Sequence, residues 1–128
     1  ECNSEKIAGR DYLEQYTAQL CRILEVTRHG DPQMVLFGND PSIYGWSMSQ
    51  MIETSIITGH FIQMPRTAYV DLFSCKFYDA FDAIRFTRDF FEAKTVTYHL
   101  LLPRREVMYS VDAFKSREAS ASRSLGGE

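Results

Sequence analysis

The centre of the chain, residues 44–75, has extended, β-type sequence and lies between two segments with helical periodicity. The stretch 67–75, TAYVDLFSC, alternates between two sets of side chains, which is typical of a half-buried strand. Before it, residues 44–61 indicate two strands or one bent strand, because small and polar residues interrupt a β-branched run. A shorter strand, QMVLFG, is expected to be buried at 33–38. These segments predict a sheet.

Helical spacing marks a segment on each side of the strands. The first is residues 11–25 and the second is residues 80–93, for which Asp79 is a suitable N-cap. A final strand, KTVTYHLLL, is predicted at 94–102. Because each amphipathic helix must bury an apolar face, we predict an α+β fold. It is a two-layer α/β sandwich, an antiparallel sheet with two helices on one face.

Size and charge restrict the class of protein. A chain of 128 residues, 45% of them hydrophobic, suits one domain with one core. We place this domain at 1–115, expect one more native strand before residue 1, and expect the polar tail 116–128 to be disordered. The net charge of −3 argues against nucleic acid as a partner. No apolar run reaches the ~20 residues of a membrane span, so no membrane partner is expected.

The cysteines favour a reducing compartment. Cys2, Cys21 and Cys75 form neither a disulfide framework nor a zinc-type spacing. We therefore expect no metal and a cytoplasmic location.

The stretch 53–61, ETSIITGHF, places hydroxyl groups and a histidine within an apolar strand. Taken singly, such side chains are usually structural, with hydroxyls that find backbone partners at a strand edge. The alternative is that one hydroxyl carries out chemistry. Support for this chemical role comes from the spacing of these residues relative to one another and to Cys75.

Together with YVDLFSC at 69–75, this stretch resembles the prokaryotic S-adenosylmethionine decarboxylases, small pyruvoyl enzymes of polyamine (spermidine) biosynthesis. The family pattern has a serine, a histidine five residues later and a cysteine twenty residues after the serine. Ser55, His60 and Cys75 keep both spacings. The resemblance covers residues 1–102 and leaves the tail outside.

The resemblance implies a zymogen that cleaves itself between Thr54 and Ser55. The Ser55 hydroxyl attacks the Thr54 carbonyl, and elimination leaves a pyruvoyl group on the new N-terminus. That group forms a Schiff base with the substrate amine and accepts the electrons of decarboxylation. His60 is implied to remove the serine α-proton, and Cys75 to return a proton to the substrate carbon. Glu53 is implied to support processing or to face a substrate amine.

One departure from the family pattern concerns the processed residue. The family has glutamate directly before its serine, whereas the order here is Glu53, Thr54, Ser55. A register with Thr54 as the processed residue changes both spacings by one, so we prefer Ser55 and leave Thr54 as the alternative.

A second departure concerns the substrate. The family's tryptophan and acid after the histidine are replaced here by FIQMP at 61–65. Phe61, Tyr44 and Trp46 are therefore the candidates for stacking on a substrate base, although a core position explains Trp46 at least as well. S-adenosylmethionine is the favoured substrate, and arginine or ornithine is the alternative. A third hypothesis is an uncleaved, non-catalytic relative that acts as a partner protein.

The resemblance also implies a homodimer with sites shared between protomers. A sheet with helices on one face leaves its other face or its edges to be covered. The candidates for such a surface are Tyr69, Phe73, Phe77 and Tyr78.

Overall fold

The structure, a computed structural model, describes residues 1–101. The chain divides into two units, Glu1–Val96 and Thr97–Glu128, and the helices and strands named below belong to the first. In chain order they are α1 (Ser4–Ala8), α2 (Arg10–Ile23), β1 (Gln33–Phe37), β2 (Gly45–Ile52), β3 (Ser55–Ile62), β4 (Thr67–Ser74) and α3 (Ala80–Phe91).

The four strands form one antiparallel sheet in chain order, β1-β2-β3-β4. Strands β2 and β3 form a hairpin with the two-residue turn Glu53–Thr54, since Ile52 pairs directly with Ser55. Residues 44–61 therefore contain two strands and not one bent strand.

Both predicted helices are present. In α2, the apolar residues at helical spacing form one buried face, which includes Leu13, Tyr16 and Leu20. Helix α3 begins after Asp79, whose side chain accepts hydrogen bonds from the backbone N–H groups of Phe81 and Asp82. The prediction of Asp79 as an N-cap is confirmed.

The hydrophobic core lies between the sheet and these helices. The ring of Tyr16 in α2 contacts Phe61 in β3 and Phe91 in α3, with centroid separations of 6.2 and 4.8 Å. All three side chains are almost fully buried. Both α2 and α3 thus contribute to the core on one face of the sheet, and the predicted α+β class is confirmed.

Side-chain alternation gives the sheet a covered face and an open face. The covered face contributes buried residues to the core: Met48, Ile52, Ile57 and Phe61. The opposite side, which we call the open face, carries Val35, Phe37, Ser47, Met51, Ile56, His60, Tyr69 and Phe73. Five apolar side chains of the open face are exposed: Val35, Phe37, Met51, Tyr69 and Phe73.

Two strand predictions are wrong. Strand β1 is not buried, since four of its five residues are exposed. It is an edge strand that pairs only with β2 among the described strands, and neither pattern nor length predicts an edge position. The second wrong prediction is the strand at 94–102: residues 94–101, the part of it that the structure describes, form no strand. A β-type sequence becomes a strand only where its backbone pairs with a neighbour.

The short helix α1 was not predicted from the sequence. It is capped by Asn3, whose side chain accepts hydrogen bonds from the backbone N–H groups of Glu5 and Lys6. No helix within residues 1–101 is long and apolar enough to cross a bilayer. The predicted tail, 116–128, and the end of the predicted domain, 102–115, lie outside the described residues.

Candidate functional site

The predicted cleavage site lies at the end of the β2–β3 hairpin. Thr54 is the second residue of the turn, and Ser55 is the first residue of β3. Ser55 pairs with Ser74, the last residue of β4, so Cys75 follows immediately beside the turn. Ser55 and Cys75, which are twenty positions apart in the sequence, are thereby close in space, because β3 and β4 pair in antiparallel fashion.

Thr54 is held at two points by residues at the end of β4. Its backbone carbonyl accepts a hydrogen bond from the N–H of Cys75 at 3.0 Å. Its hydroxyl lies 2.7 Å from the hydroxyl of Ser74. A backbone N–H directed at a carbonyl stabilises the negative charge that develops on the oxygen when a nucleophile attacks the carbon. The N–H of Cys75 is the group that would carry out this stabilisation at the Thr54 carbonyl.

Cys75 differs from the other two cysteines in its accessibility. Its side chain is exposed, whereas Cys2 and Cys21 are buried. Burial raises the pKa of both buried thiols. Cys75 is therefore the cysteine that a small molecule can reach. Within residues 1–101, no group of three or more His, Cys, Asp or Glu side chains is arranged to hold a metal ion.

His60 lies in the middle of the open face, away from the hairpin turn. Its Nδ1 lies 2.9 Å from the hydroxyl of Ser47 in β2, and its ring makes an edge contact with Phe37 at 5.5 Å between centroids. The hydrogen bond with Ser47 restricts the position of the imidazole, and the serine hydroxyl can pair with either tautomer. Ser47 was missed from the sequence. A two-residue turn at Glu53–Thr54 makes Ser47 the direct partner of His60, so turn placement is the signal that would have found it.

The structure does not bring Ser55 and His60 together within one chain. They are five residues apart in a regular strand, a separation of about 16 Å at ~3.3 Å per residue. Alternation also places them on opposite faces of the sheet, because Ser55 falls in register with Ile57 and Phe61 on the covered face. Backbone pairing brings Thr54, Ser55 and Cys75 into one cluster at the hairpin end, and His60 does not belong to it within the same chain.

Glu53 occupies the first position of the turn and is exposed. Its backbone N–H donates to the carbonyl of Thr27 at 2.9 Å, which attaches the hairpin end to the segment after α2. Its carboxyl group is near the predicted cleavage site in sequence and open to solvent.

The three candidate substrate-binding aromatic residues lie at the other end of the hairpin. Phe61 is fully buried in the core, so its ring is not exposed to a ligand. The indole N–H of Trp46 donates to the carbonyl of Ala8 at 2.9 Å, and its side chain packs partly buried against the core. This favours a structural role for Trp46. Tyr44 is exposed and borders a surface cavity of about 740 Å³. None of the three lies beside Ser55, because Tyr44 directly precedes β2, Trp46 is its second residue and Phe61 is the last but one residue of β3.

Comparison with known proteins gives one match. A model of the S-adenosylmethionine decarboxylase family matches residues 1–105. No curated protein and no solved structure matches the chain. The matched region contains both helices with predicted periodicity, the complete sheet and the cluster at Thr54, Ser55 and Cys75. The chain belongs to the S-adenosylmethionine decarboxylase family.

Proposed function

We propose that this protein is a self-processing, pyruvoyl-dependent decarboxylase of S-adenosylmethionine, cleaved between Thr54 and Ser55. Family membership supports decarboxylation as the activity. Support for processing comes from one observation: the N–H of Cys75 donates to the carbonyl of Thr54, the group that the Ser55 hydroxyl would attack. Thr54 thus has a hydrogen-bonded carbonyl next to a hydroxyl nucleophile in the following residue, and the N–H can stabilise the oxyanion that attack would form.

The cleavage requires only groups of the chain and one water molecule. Ser55 Oγ bonds to the Thr54 carbonyl carbon while the Thr54–Ser55 C–N bond breaks, and the hydroxyl proton passes to the released amine. Removal of the Ser55 α-proton then breaks its Cβ–Oγ bond and releases the Thr54 carboxylate. The remaining enamine becomes an imine by moving a proton to Cβ. Water replaces the imine nitrogen, so ammonia leaves and a pyruvoyl group remains.

The same contact supports Ser55, and not Thr54, as the processed residue. If Thr54 were the nucleophile, the attacked carbonyl would be that of Glu53. The N–H of Cys75 is directed instead at the carbonyl of Thr54. The Thr54 hydroxyl is already hydrogen-bonded to Ser74. Both observations favour the register in which Ser55 becomes the new N-terminus.

Cys75 is positioned for a role after cleavage. A pyruvoyl carbonyl supplies the electron sink that decarboxylation requires. The backbone N–H of Cys75 donates to the carbonyl of Thr54, the residue before the one that would carry this group, and its side chain is exposed. We assign to this thiol the return of a proton to the substrate carbon.

His60 would act on the Ser55 α-proton of another subunit. The separation of about 16 Å along β3 prevents His60 from reaching Ser55 in its own chain. The open face carries His60 together with exposed apolar side chains such as Tyr69 and Phe73, which a second copy could cover. A homodimer formed through the open faces can bring the partner subunit's His60 to the hairpin end.

The first test is the intact mass of the purified protein. We expect two fragments, one ending at Thr54 and one beginning at residue 55. The second fragment should be lighter, by the mass of ammonia, than a fragment that begins with an unmodified serine. Ser55→Ala should give a single chain. A single intact wild-type chain would contradict the proposal and favour the non-catalytic relative.

The shared site is tested by co-expressing two defective chains with different tags. A Ser55→Ala chain cannot be cleaved but carries His60, and a His60→Ala chain carries Ser55. We expect the His60→Ala chain to remain largely intact alone and to be cleaved in the presence of the Ser55→Ala chain. Cleavage of the His60→Ala chain alone at the wild-type rate would contradict a role for this histidine.

The substrate is tested by release of labelled carbon dioxide from S-adenosylmethionine, arginine and ornithine. We expect release from S-adenosylmethionine only, and we expect borohydride with substrate to inactivate the cleaved enzyme. Turnover of arginine or ornithine alone would replace the proposed substrate while leaving the processing chemistry intact.

A further inference from the structure

The end of β4 makes a set of polar contacts that the proposed chemistry does not yet use. The hydroxyl of Ser74 lies 2.7 Å from the hydroxyl of Thr54 and also accepts a hydrogen bond from the N–H of Lys76 at 3.1 Å. The side chain of Lys76 in turn donates to the carbonyl of Glu25 at 3.0 Å. The Ser74 hydroxyl therefore connects the hairpin turn to the segment that leaves β4.

From these contacts we infer that Ser74 is a positioning residue for the cleavage at Thr54–Ser55, an inference that rests on the proposed function. Two consecutive residues, Ser74 and Cys75, hold the side chain and the carbonyl of the same threonine. Two fixed points on either side of the Thr54 Cα leave its peptide group little freedom to rotate. We call this pair of contacts the Thr54 clamp.

The clamp matters because the attack depends on geometry. The Ser55 hydroxyl must approach the Thr54 carbonyl carbon from one direction, so the ψ angle of Thr54, which sets the direction of its carbonyl, must be held. A hydrogen bond to the carbonyl alone fixes one atom and permits rotation about it. The second contact, from Ser74 to the threonine hydroxyl, removes that rotation. Misplacement by about 1 Å in such a step lowers a rate by as much as ~100-fold.

A serine is suited to this role because one hydroxyl serves both neighbours. The Lys76 N–H occupies one lone pair of Ser74 Oγ, and the hydroxyl retains a proton and a second lone pair for Thr54. Alanine would remove both contacts, and threonine would keep the hydroxyl. The position also accounts for Thr54 in this chain, since its hydroxyl provides the group that Ser74 holds.

The experiment measures the rate of chain cleavage after cell-free synthesis, with samples quenched at set times. We expect Ser74→Ala to lower this rate about 10- to 100-fold, and Ser74→Thr to restore it to within about threefold of wild type. Thr54→Val should slow cleavage to the same extent, and the double variant should be no slower than either single variant. Thr67→Val, at the other end of β4, is the matched control and should cleave at the wild-type rate.

The outcomes separate this inference from the proposed function. A wild-type chain that is never cleaved overturns both. Wild-type cleavage with an unchanged rate in Ser74→Ala, or with additive effects of Ser74→Ala and Thr54→Val, overturns the role of Ser74 and leaves the proposed function standing. If Ser74→Ala does not fold by circular dichroism, Thr54→Val decides: a wild-type rate in that variant overturns the clamp. A failure of Ser74→Thr to restore the rate also counts against it.

Discussion

The two faces of the sheet differ in what their side chains do. On the covered face, Ile57 and Phe61 are fully buried and pack with the rings contributed by α2 and α3. On the open face, Tyr69 and Phe73 are 60% and 67% exposed, although they belong to the same β3–β4 pair of strands. The same alternating sequence therefore supplies a core on one side and a large apolar surface on the other.

We link the covered face to the stability of the fold and the open face to the proposed association and processing. Most apolar residues of the covered face within residues 1–101 are buried in a core to which α2 and α3 contribute. The open face carries His60 and its partner Ser47 among exposed apolar residues, and a contiguous exposed apolar surface typically marks an interaction site. Substitutions on the covered face should change the free energy of unfolding, and those on the open face should change association and processing.

The largest expected effect contrasts two Phe→Ala substitutions. Phe61→Ala should lower the free energy of unfolding by about 3–5 kcal/mol, because it leaves a cavity in a closed aromatic cluster. Phe73→Ala removes a ring that is 67% exposed and should cost less than about 1 kcal/mol. Denaturant titration at low protein concentration measures both. Equal costs would contradict the division between the faces.

Gly59→Ala should lower the free energy of unfolding by about 1–3 kcal/mol. A Cβ at this position would lie 2.5 Å from the ring of Phe61, which is fully buried and would have to shift within the core. Thr58→Ala, the preceding residue of β3 on the open side, is the matched control and should cost less. An unchanged unfolding midpoint for Gly59→Ala would show that the ring can shift within the core.

Tyr16→Phe should cost about 1 kcal/mol near neutral pH, because it removes the hydrogen bond between Tyr16 and Thr87, whose oxygens are 2.8 Å apart. Burial raises the pKa of Tyr16 far above its usual range. A raised folded-state pKa gives stability that is present below the unfolded value of about 10 and is lost as the pH rises above it.

The wild-type protein should therefore lose stability more steeply than Tyr16→Phe above about pH 10. Unfolding titrations between neutral and alkaline pH measure the two slopes, with Tyr44→Phe as the control at an exposed position. Parallel slopes for wild type and Tyr16→Phe would contradict the burial of this hydroxyl.

The smallest effect on folding is expected for Tyr69→Ser on the open face. It should change the free energy of unfolding by less than about 0.5 kcal/mol when measured below the concentration of association. Its effect on association should be larger, because it removes an apolar ring from the surface proposed to pair. Sedimentation over a range of concentrations measures this. A wild-type protein that stays monomeric throughout would contradict the homodimer.

Much of the fold followed from periodicity. Helical spacing predicted α2, and Asp79 predicted the beginning of α3, because both signals act within one turn of helix. The exposure of β1 and the absence of a strand at 94–101 were not predictable in this way. Strand pairing depends on residues far apart in the chain, and a local pattern contains no information about which edge stays open.

The site divides in the same manner. The spacing of Ser55, His60 and Cys75 could be taken from the sequence alone, and it indicated the family that the match over residues 1–105 identifies. The sequence could not show that Ser55 and Cys75 meet at one end of the hairpin while His60 lies with Ser47 on the other face.

By itself, then, the sequence determined α2, α3, the β-type centre, the residue types available for chemistry and their spacing, since all of these depend on neighbours along the chain. Tertiary structure alone decided the contacts of Thr54 with Ser74 and Cys75 and the separation of His60 from Ser55. The physical reason is register: antiparallel pairing sets which distant residues are opposite each other, and alternation sets the face on which each side chain lies.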